Sequence, residues 1–368
     1  MDPALLIDPV FWGDGASVAM GAFDGELPDE VDGSGLVFFQ TSGSSGEPKW
    51  IGLTKSGLLI SAAAVNGHLG VTEDSCWGLA LPCHHVGGFG VVARVFEAGC
   101  GHVVFPGRWD AGRFRDWVAE EGVSHVSLVP TQVHDLVAAG LTAPDGLVAV
   151  VAGGGRLAEE TGRAARGLGW PVLASYGMTE AGSQVATQGL GLLDVPYEMG
   201  RLPILPHWRV GVNDEGLLRL AGPALFDGVL ERVGGRWRFV KRVGEWFETR
   251  DRVLLDGGVL TPMGRGDGVV KIFGELVDPE LVERELAVCA EGGLVEGRFC
   301  VVAVADERAG HRLRWFIEGD FDREWAMRVR ERYHGSVPGF LRVGEAEGVE
   351  VFPRSPLGKI LRREIVRK

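Results

Sequence analysis

Residues Val123–Gly155, VSHVSLVPTQVHDLVAAGLTAPDGLVAVVAGGG, run from one β-branched apolar stretch through an amphipathic segment to a second apolar stretch ending in three glycines. Runs this apolar leave no polar face for water, so the strands they form must be covered on both sides. Val123–Val129 and Leu147–Val151 read as those strands, with Thr131–Ala139 as the helix between them. The alternation extends in both directions. Upstream, Trp77–Leu81 reads as a strand, Gly87–Ala98 as a helix, Gly101–Phe105 as a strand and Ala111–Glu121 as a helix. Downstream come a helix over Ala158–Leu168 and a strand over Val172–Ser175. This predicts an α/β fold, a mostly parallel sheet with helices on both faces.

From Trp208 to Leu260 the pattern changes to short strands between Gly-rich turns: WRVGV, GLLRLAG, GVLERV and RWRFVKRV. These predict a small antiparallel β subdomain. Beyond Gly264 come a strand (Val269–Phe273) and a helix opened by Asp278-Pro279, an N-cap followed by proline at the first helical position. Another strand (Phe299–Ala305), a charged helix (Asp322–Tyr333) and a basic tail complete a small α+β C-terminal domain. The boundary is placed at Arg265–Asp267, giving domains 1–265 and 266–368.

A formal net charge of -13 argues against duplex nucleic acid or an anionic membrane as the main partner. No stretch reaches the ~20 uncharged apolar residues of a membrane span. The opening MDPALLIDPVFWGDG has neither a basic segment nor a long apolar run, so no secretory signal and a cytoplasmic location are expected. The five cysteines form no CxxC pair and read as free thiols. Cys83 beside His84 and His85 lacks a second ligand pair at zinc spacing.

Thr41-Ser42-Gly43-Ser44-Ser45-Gly46-Glu47-Pro48-Lys49 follows the apolar run Leu36–Phe39. Glycines let backbone N–H groups close around an anion, four hydroxyls add donors and Lys49 adds charge, which makes a phosphate cradle. It is not a Walker A loop, because Gly43 and Gly46 stand too close and Trp50 follows the lysine. A competing nucleotide signal is Gly153-Gly154-Gly155-Arg156-Leu157-Ala158, which fits the GxGxxA turn of a nicotinamide or flavin enzyme. That motif needs an acid at the end of the next strand. Val172–Ser175 is followed instead by Tyr176 and Gly177, with Glu180 several residues late.

Together these blocks resemble the acyl-CoA synthetase, or adenylate-forming, superfamily. Six match in the family's order over roughly residues 36–368: Thr41–Lys49; Leu81-Pro82-Cys83-His84-His85-Val86-Gly87-Gly88; Gly153–Gly155; Tyr176-Gly177-Met178-Thr179-Glu180; Thr249-Arg250-Asp251 with Gly264-Arg265-Gly266-Asp267; and Arg354-Ser355-Pro356-Leu357-Gly358-Lys359-Ile360. The resemblance implies ATP and CoA as co-substrates, Mg²⁺ as cofactor and a small carboxylic acid as the activated partner. It assigns Thr41, Ser42, Gly43, Ser44, Ser45, Gly46 and Lys49 to the β- and γ-phosphates, and Gly153, Gly154, Gly155, Tyr176 and Gly177 to adenine. Asp251 would accept the ribose hydroxyls and Arg265 reach ribose or phosphate. Glu180 would hold the metal, with Thr179 on the phosphate side, and Lys359 would neutralise charge at the α-phosphate. Asp267 would be the hinge. His84, His85, Arg94 and Met178 would line the acid.

Three features depart from the family pattern: a short region before the phosphate loop, Arg250 where glycine is usual, and Gly268 where a second aspartate is usual. A nucleotide binder without activity is the alternative those departures raise, and the retention of Glu180, Asp251 and Lys359 speaks against it. The short opening and the LPxHHxxG block look most like the o-succinylbenzoate–CoA ligase branch, which serves menaquinone biosynthesis; another aryl- or acyl-CoA ligase is the alternative. Arg94 is the one charge in Val86–Phe96. It either meets a second substrate carboxylate, snorkels to solvent or pairs with Glu97.

Overall fold

The computed structural model describes residues 3–13, 15–41, 49–265, 268, 270–273, 275–291, 293–295, 297–306, 308–355, 358 and 360–366, with backbone alone at 265, 271, 276 and 363. The chain divides into two compact units. The first comprises Met1–Asn213, Leu218–Thr249 and Leu254–Thr261; the second comprises Asp214–Leu217, Arg250–Val253 and Pro262–Lys368.

The first unit opens with α1 (Pro3–Ile7), α2 (Pro9–Gly13), β1 (Val18–Met20), β2 (Leu36–Thr41), β3 (Lys49–Thr54) and α3 (Lys55–Leu69). Trp12 of α2 is buried, and its indole N–H donates to the Leu6 carbonyl at 2.8 Å. The Thr54 hydroxyl caps α3 by accepting the Gly57 N–H at 3.0 Å, and Gly70 ends the helix at φ 66°.

The predicted alternation follows: β4 (Cys76–Leu79), α4 (Val86–Ala98), β5 (Gly101–Val104), α5 (Ala111–Glu120), β6 (His125–Leu128), α6 (Pro130–Ala138), β7 (Ala149–Ala152), α7 (Glu159–Gly167), β8 (Val172–Met178) and β9 (Ser183–Thr187). These strands make one sheet in the order β5-β4-β6-β7-β8-β9. The first five are parallel, and β9 runs antiparallel to β8. Every residue of β6 and β7 is buried, as their unbroken apolar runs require. The order reverses between β4 and β6, the switch point at which open α/β sheets leave a crevice beyond the strands' carboxyl ends.

α4 is buried continuously from Gly88 to Val95. Trp12 stacks on Phe96 of this helix with ring centroids 5.3 Å apart, and lies 5.7 Å from Phe89. A Cβ at Gly88 would come within 2.3 Å of the Pro82 carbonyl oxygen, so glycine there lets the helix sit against the loop that precedes it.

Next come β10 (Leu202–Pro203), β11 (Arg209–Val212), β12 (Leu217–Ala221), β13 (Gly228–Val233), β14 (Arg236–Lys241), β15 (Phe247–Asp256) and β16 (Val259–Arg265). Here the structure differs from the expectation of one antiparallel subdomain. β11 and β12 join the sheet β10-β16-β15-β12-β11, but β13 and β14 extend the N-terminal sheet as β1-β2-β3-β13-β14. The cause is burial: Leu230 of β13 registers with Trp50 of β3, in a cluster with Val31, Leu36 and Phe38. Gly52 lies opposite Gly228, and a Cβ at Gly52 would come within 2.6 Å of the Phe38 ring.

The second unit holds β17 (Val270–Ile272), β18 (Glu275–Val277), α8 (Pro279–Cys289), β19 (Phe299–Asp306), β20 (Gly310–Glu318), α9 (Arg323–Ser336), β21 (Val343–Val349) and α10 (Arg362–Ile365). The Asp278 carboxylate caps α8 at the Glu280 N–H, 2.9 Å away. β19 and β20 are antiparallel, β21 lies parallel to β20, and Val301, Trp315, Leu286 and Tyr333 are buried in its core.

Substituting the two adjacent α4 glycines separates packing from propensity. We expect Gly88→Ala to cost about 1–3 kcal/mol of unfolding free energy by overpacking against backbone. Gly87→Ala, whose Cβ would meet nothing nearer than Leu81 Cδ1 at 3.9 Å, should gain up to ~1 kcal/mol from helix propensity. Denaturant midpoints of both variants check this, and equal effects would refute it.

Candidate active site

Two strand-to-helix loops, the end of β8 and the 3₁₀ turn after it lie at the carboxyl edge of the parallel sheet, and together they carry most of the described candidate residues. The loop after β4 presents His84 and His85, with ring centroids 4.3 Å apart. His84 is exposed and His85 half-buried. The imidazole Nε2 of His85 is buried without a partner among the described residues. Burial, reinforced by the neighbouring His84, lowers its pKa to about 4, so the ring is neutral at physiological pH.

After β7 the chain turns through Gly153, Gly154 and Gly155. The Gly153 N–H donates to the Leu128 carbonyl at 3.0 Å, and Gly154 takes φ 76°, a conformation that favours glycine. β8 continues past the expected Ser175 to Met178, so Tyr176 and Gly177 lie on the strand itself. A bulge between these two, opposite β9, brings the chains so close that a Cβ at Gly177 would fall 1.6 Å from the Ser183 carbonyl oxygen. Ser183 holds φ 103°, a strained value for a residue with a side chain. Thr179–Ala181 then forms a 3₁₀ turn; the Glu180 carbonyl accepts the Phe226 N–H at 2.9 Å, and its side chain is half-buried.

Behind this edge lies Arg94, 2% exposed. Its Nη1 donates to Ser127 Oγ at 3.2 Å, and its guanidinium lies 5.2 Å from the Trp77 ring centroid. Its Nε has no partner, and no carboxylate pairs with it among the described residues. Glu97 is instead engaged by the Asn66 amide at 2.7 Å. Burial excludes the snorkelling alternative. Desolvation lowers the Arg94 pKa to about 9, the mark of a charge held at a cost. The reading of residues missed Ser127; its signal is a hydroxyl inside a wholly buried strand.

Thr41 and Lys49 pair across the ends of β2 and β3, and Lys49 Nζ lies 3.6 Å from a Glu231 carboxylate oxygen. Ser42, Gly43, Ser44, Ser45 and Gly46 between them lie outside the described residues, as do Asp267 and Lys359. Asp251 is half-buried within β15 beside exposed Arg250, and both belong to the second unit. Arg265 ends β16 and is described by its backbone alone. Among the described residues no three His, Cys, Asp or Glu side chains gather as a metal cluster.

An α/β sheet with a glycine turn, an aromatic strand end and an acidic turn on its carboxyl edge is the framework of a nucleotide-binding enzyme. The chain belongs to the AMP-binding enzyme family, whose model matches residues 15–226. It is 33% identical over 308 residues to a 2-succinylbenzoate–CoA ligase of Escherichia coli, covering 81% of this chain and 62% of that protein. It is 27% identical to the enzyme of the same name from Bacillus mycoides, covering 90% of this chain and 69% of that one. A variant of E. coli MenE with OSB-AMS bound superposes with a TM-score of 0.72 at 26% identity, over 90% of this chain and 68% of that one. The chain thus spans less than two thirds of the E. coli ligase's length.

Two measurements follow. Replacing the unpaired buried charge by an apolar side chain of similar length, Arg94→Met, should raise the ligand-free stability by about 1–3 kcal/mol, read as denaturant midpoint; a loss of stability would mean that the guanidinium is fully compensated. His85 binds fewer protons folded than unfolded between its ordinary value of 6.5 and about 4. Stability should therefore fall as pH drops through that window. His85→Gln should flatten the slope but not abolish it, because burial also lowers His207 to about 4. An unchanged slope would show that His85 titrates normally.

Proposed function

We propose that this chain is an ATP-dependent acid–CoA ligase acting in the cytoplasm, with o-succinylbenzoate as its acid and menaquinone biosynthesis as its pathway. The observation that supports this substrate most directly is Arg94: a buried guanidinium without a carboxylate partner among the described residues, on the helix that follows His84 and His85. A dicarboxylic aromatic acid offers one carboxylate for activation and a second to complete this cation. The names of the relatives agree with that chemistry. No helix among the described residues is long and apolar enough to cross a membrane.

In the first half-reaction a carboxylate oxygen of the acid attacks the α-phosphorus of ATP, and the bond to pyrophosphate breaks. Two anions approach, so the site must supply positive charge and hydrogen-bond donors. The loop from Thr41 to Lys49 holds the β- and γ-phosphates, Gly153–Gly155 pass the adenine edge and Tyr176 stacks on its face. Asp251 accepts from the ribose hydroxyls, with Arg265 nearby in function, and Lys359 meets the charge at the α-phosphate. Glu180 would hold Mg²⁺ through a carboxylate oxygen, a donor type that suits this hard cation, with Thr179 on the phosphate side; when bound, the metal would neutralise phosphate charge. His84, neutral His85 and Met178 enclose the acid. In the second half-reaction the CoA sulfur attacks the acyl carbon and AMP leaves. Lys359 must withdraw for the thiol to enter, which the division into 1–265 and 266–368 provides through rotation about Asp267.

A pyrophosphate-release screen over a panel of acids tests this reading. We expect ATP- and CoA-dependent turnover to favour o-succinylbenzoate, and Arg94→Met to raise the KM for that acid roughly 10- to 100-fold while leaving that for ATP nearly unchanged. Preference for a fatty or simple benzoic acid would overturn the substrate, and equal damage to both KM values would remove Arg94 from the acid site.

A further inference from the structure

We infer that Arg354 is a positioning residue for the loop that carries Lys359, with Glu318 as its anchor. The inference rests on the reading of Lys359 as the cation of adenylate formation. Arg354 and Ile360 form an antiparallel bridge, and the Leu361 N–H donates to the Pro353 carbonyl at 2.8 Å, so the chain on the two sides of the loop is paired. Gly358, at φ 78°, donates its N–H to the Ser355 carbonyl at 2.8 Å.

One guanidinium spans this turn. Arg354 Nη1 donates to the Gly358 carbonyl at 3.3 Å, while Nη2 donates to the Gly297 carbonyl at 2.7 Å and to a Glu318 carboxylate oxygen at 2.6 Å. The other Glu318 oxygen accepts the Phe352 N–H at 2.8 Å, and the Glu318 side chain is only 10% exposed. Arg354 therefore ties the residue before Lys359 to the end of β20 and to the turn before β19. A planar fork reaches three acceptors from one side chain, whereas a lysine ammonium is a single point on a flexible stem.

A second clamp lies just beyond the loop. Arg362 donates through both Nη2 and Nε to the largely buried Glu283 carboxylate, at 2.7–3.2 Å, and lies 3.3 Å from Glu280. Glu283 also accepts the Val301 N–H at 2.6 Å, which fixes α10 to β19. A cation that must meet charge at one phosphorus gains its effect from being held in place beforehand. A misplacement of about 1 Å can cost roughly 100-fold in rate.

The test is single-turnover kinetics on the full chain, with o-succinylbenzoate or the acid that wins the pyrophosphate screen. Adenylate formation is measured from ATP and acid, and thioester formation from supplied acyl-adenylate and CoA. We expect Arg354→Gln to slow adenylate formation roughly 10- to 100-fold through kcat, with thioester formation within about twofold of normal. Arg354→Lys should recover part of the loss, and adding Arg354→Gln to Lys359→Ala should slow adenylation no further, because both act through one group. Normal adenylation in Arg354→Gln beside a slow Lys359→Ala would overturn the positioning role alone. A parallel fall of both half-reactions, or an additive loss in the double variant, would mark Arg354 as merely structural. Normal adenylation in Lys359→Ala would remove the underlying reading and this inference with it. Should Arg354→Gln not fold, Arg354→Lys and Glu318→Gln carry the same comparison.

Discussion

A parallel sheet can be built only if each strand returns in the direction of the last, and the crossover that returns it must leave from the carboxyl end. The candidate site follows from this constraint. β4, β7 and β8 are separated by more than 70 residues from first to last, yet their outgoing loops share one edge. The strand order reverses between β4 and β6, the place where open α/β sheets commonly leave a crevice, and the loop holding His84 and His85 leaves β4 there. β9 supplies the exception that shapes the far side. Running antiparallel, it meets β8 through a bulge at Tyr176 and Gly177, where only a residue without a Cβ fits against Ser183.

α4 carries a charge that its packing does not need. Its buried face needs no charge to pack, and Gly88, Phe89, Val91, Val92 and Val95 already seal it against its neighbours. Arg94 interrupts that face at an energetic cost, partly offset by Ser127 and by the Trp77 ring. Beside it the Asn66 amide donates both to the Arg94 carbonyl and to Glu97, so Glu97 is engaged elsewhere, while the Trp77 indole N–H and the Asn66 carbonyl oxygen are buried without a partner among the described residues. Among the described residues no carboxylate completes this cation, which is the property the proposed carboxylate site needs, since a partner built into the fold would compete with a ligand.

The parts of the fold legible in the sequence were those governed by local burial. β6 and β7 are covered on both faces, so their apolar runs were unmistakable, and the helices between them differ from expectation by a residue or two. What local pattern could not reveal was partnership. GVLERV and RWRFVKRV look alike whichever sheet they join, and the choice of β3 was made by Trp50 and Phe38, some 180 to 190 residues before Leu230. β9 was missed because SQVAT is short and carries no alternation. α3 was missed because KSGLLISAAAVNGHL, with its glycines and small residues, shows no clear apolar stripe. Motif residues at the sheet edge were readable because loop chemistry is local; the Arg94–Ser127 contact was not, because it joins a helix to a strand across 33 residues of chain.

The second unit answers a different demand. If one small domain serves both half-reactions, it must move as a body and yet hold its lysine loop to a fraction of an ångström. Those requirements conflict unless the stiffening contacts lie entirely inside the moving part. Arg354 with Glu318 and Gly297, and Arg362 with Glu283 and Glu280, satisfy that condition: every partner belongs to the same compact unit. Half-buried ion pairs of this kind contribute little net stability, but breaking one is costly: loss of Arg362 would leave the low-exposure carboxylate of Glu283 without its cation, and loss of Arg354 would leave Glu318 only the more distant Arg298. Rigidity is thus built from charge within the unit, with none of these contacts reaching beyond it.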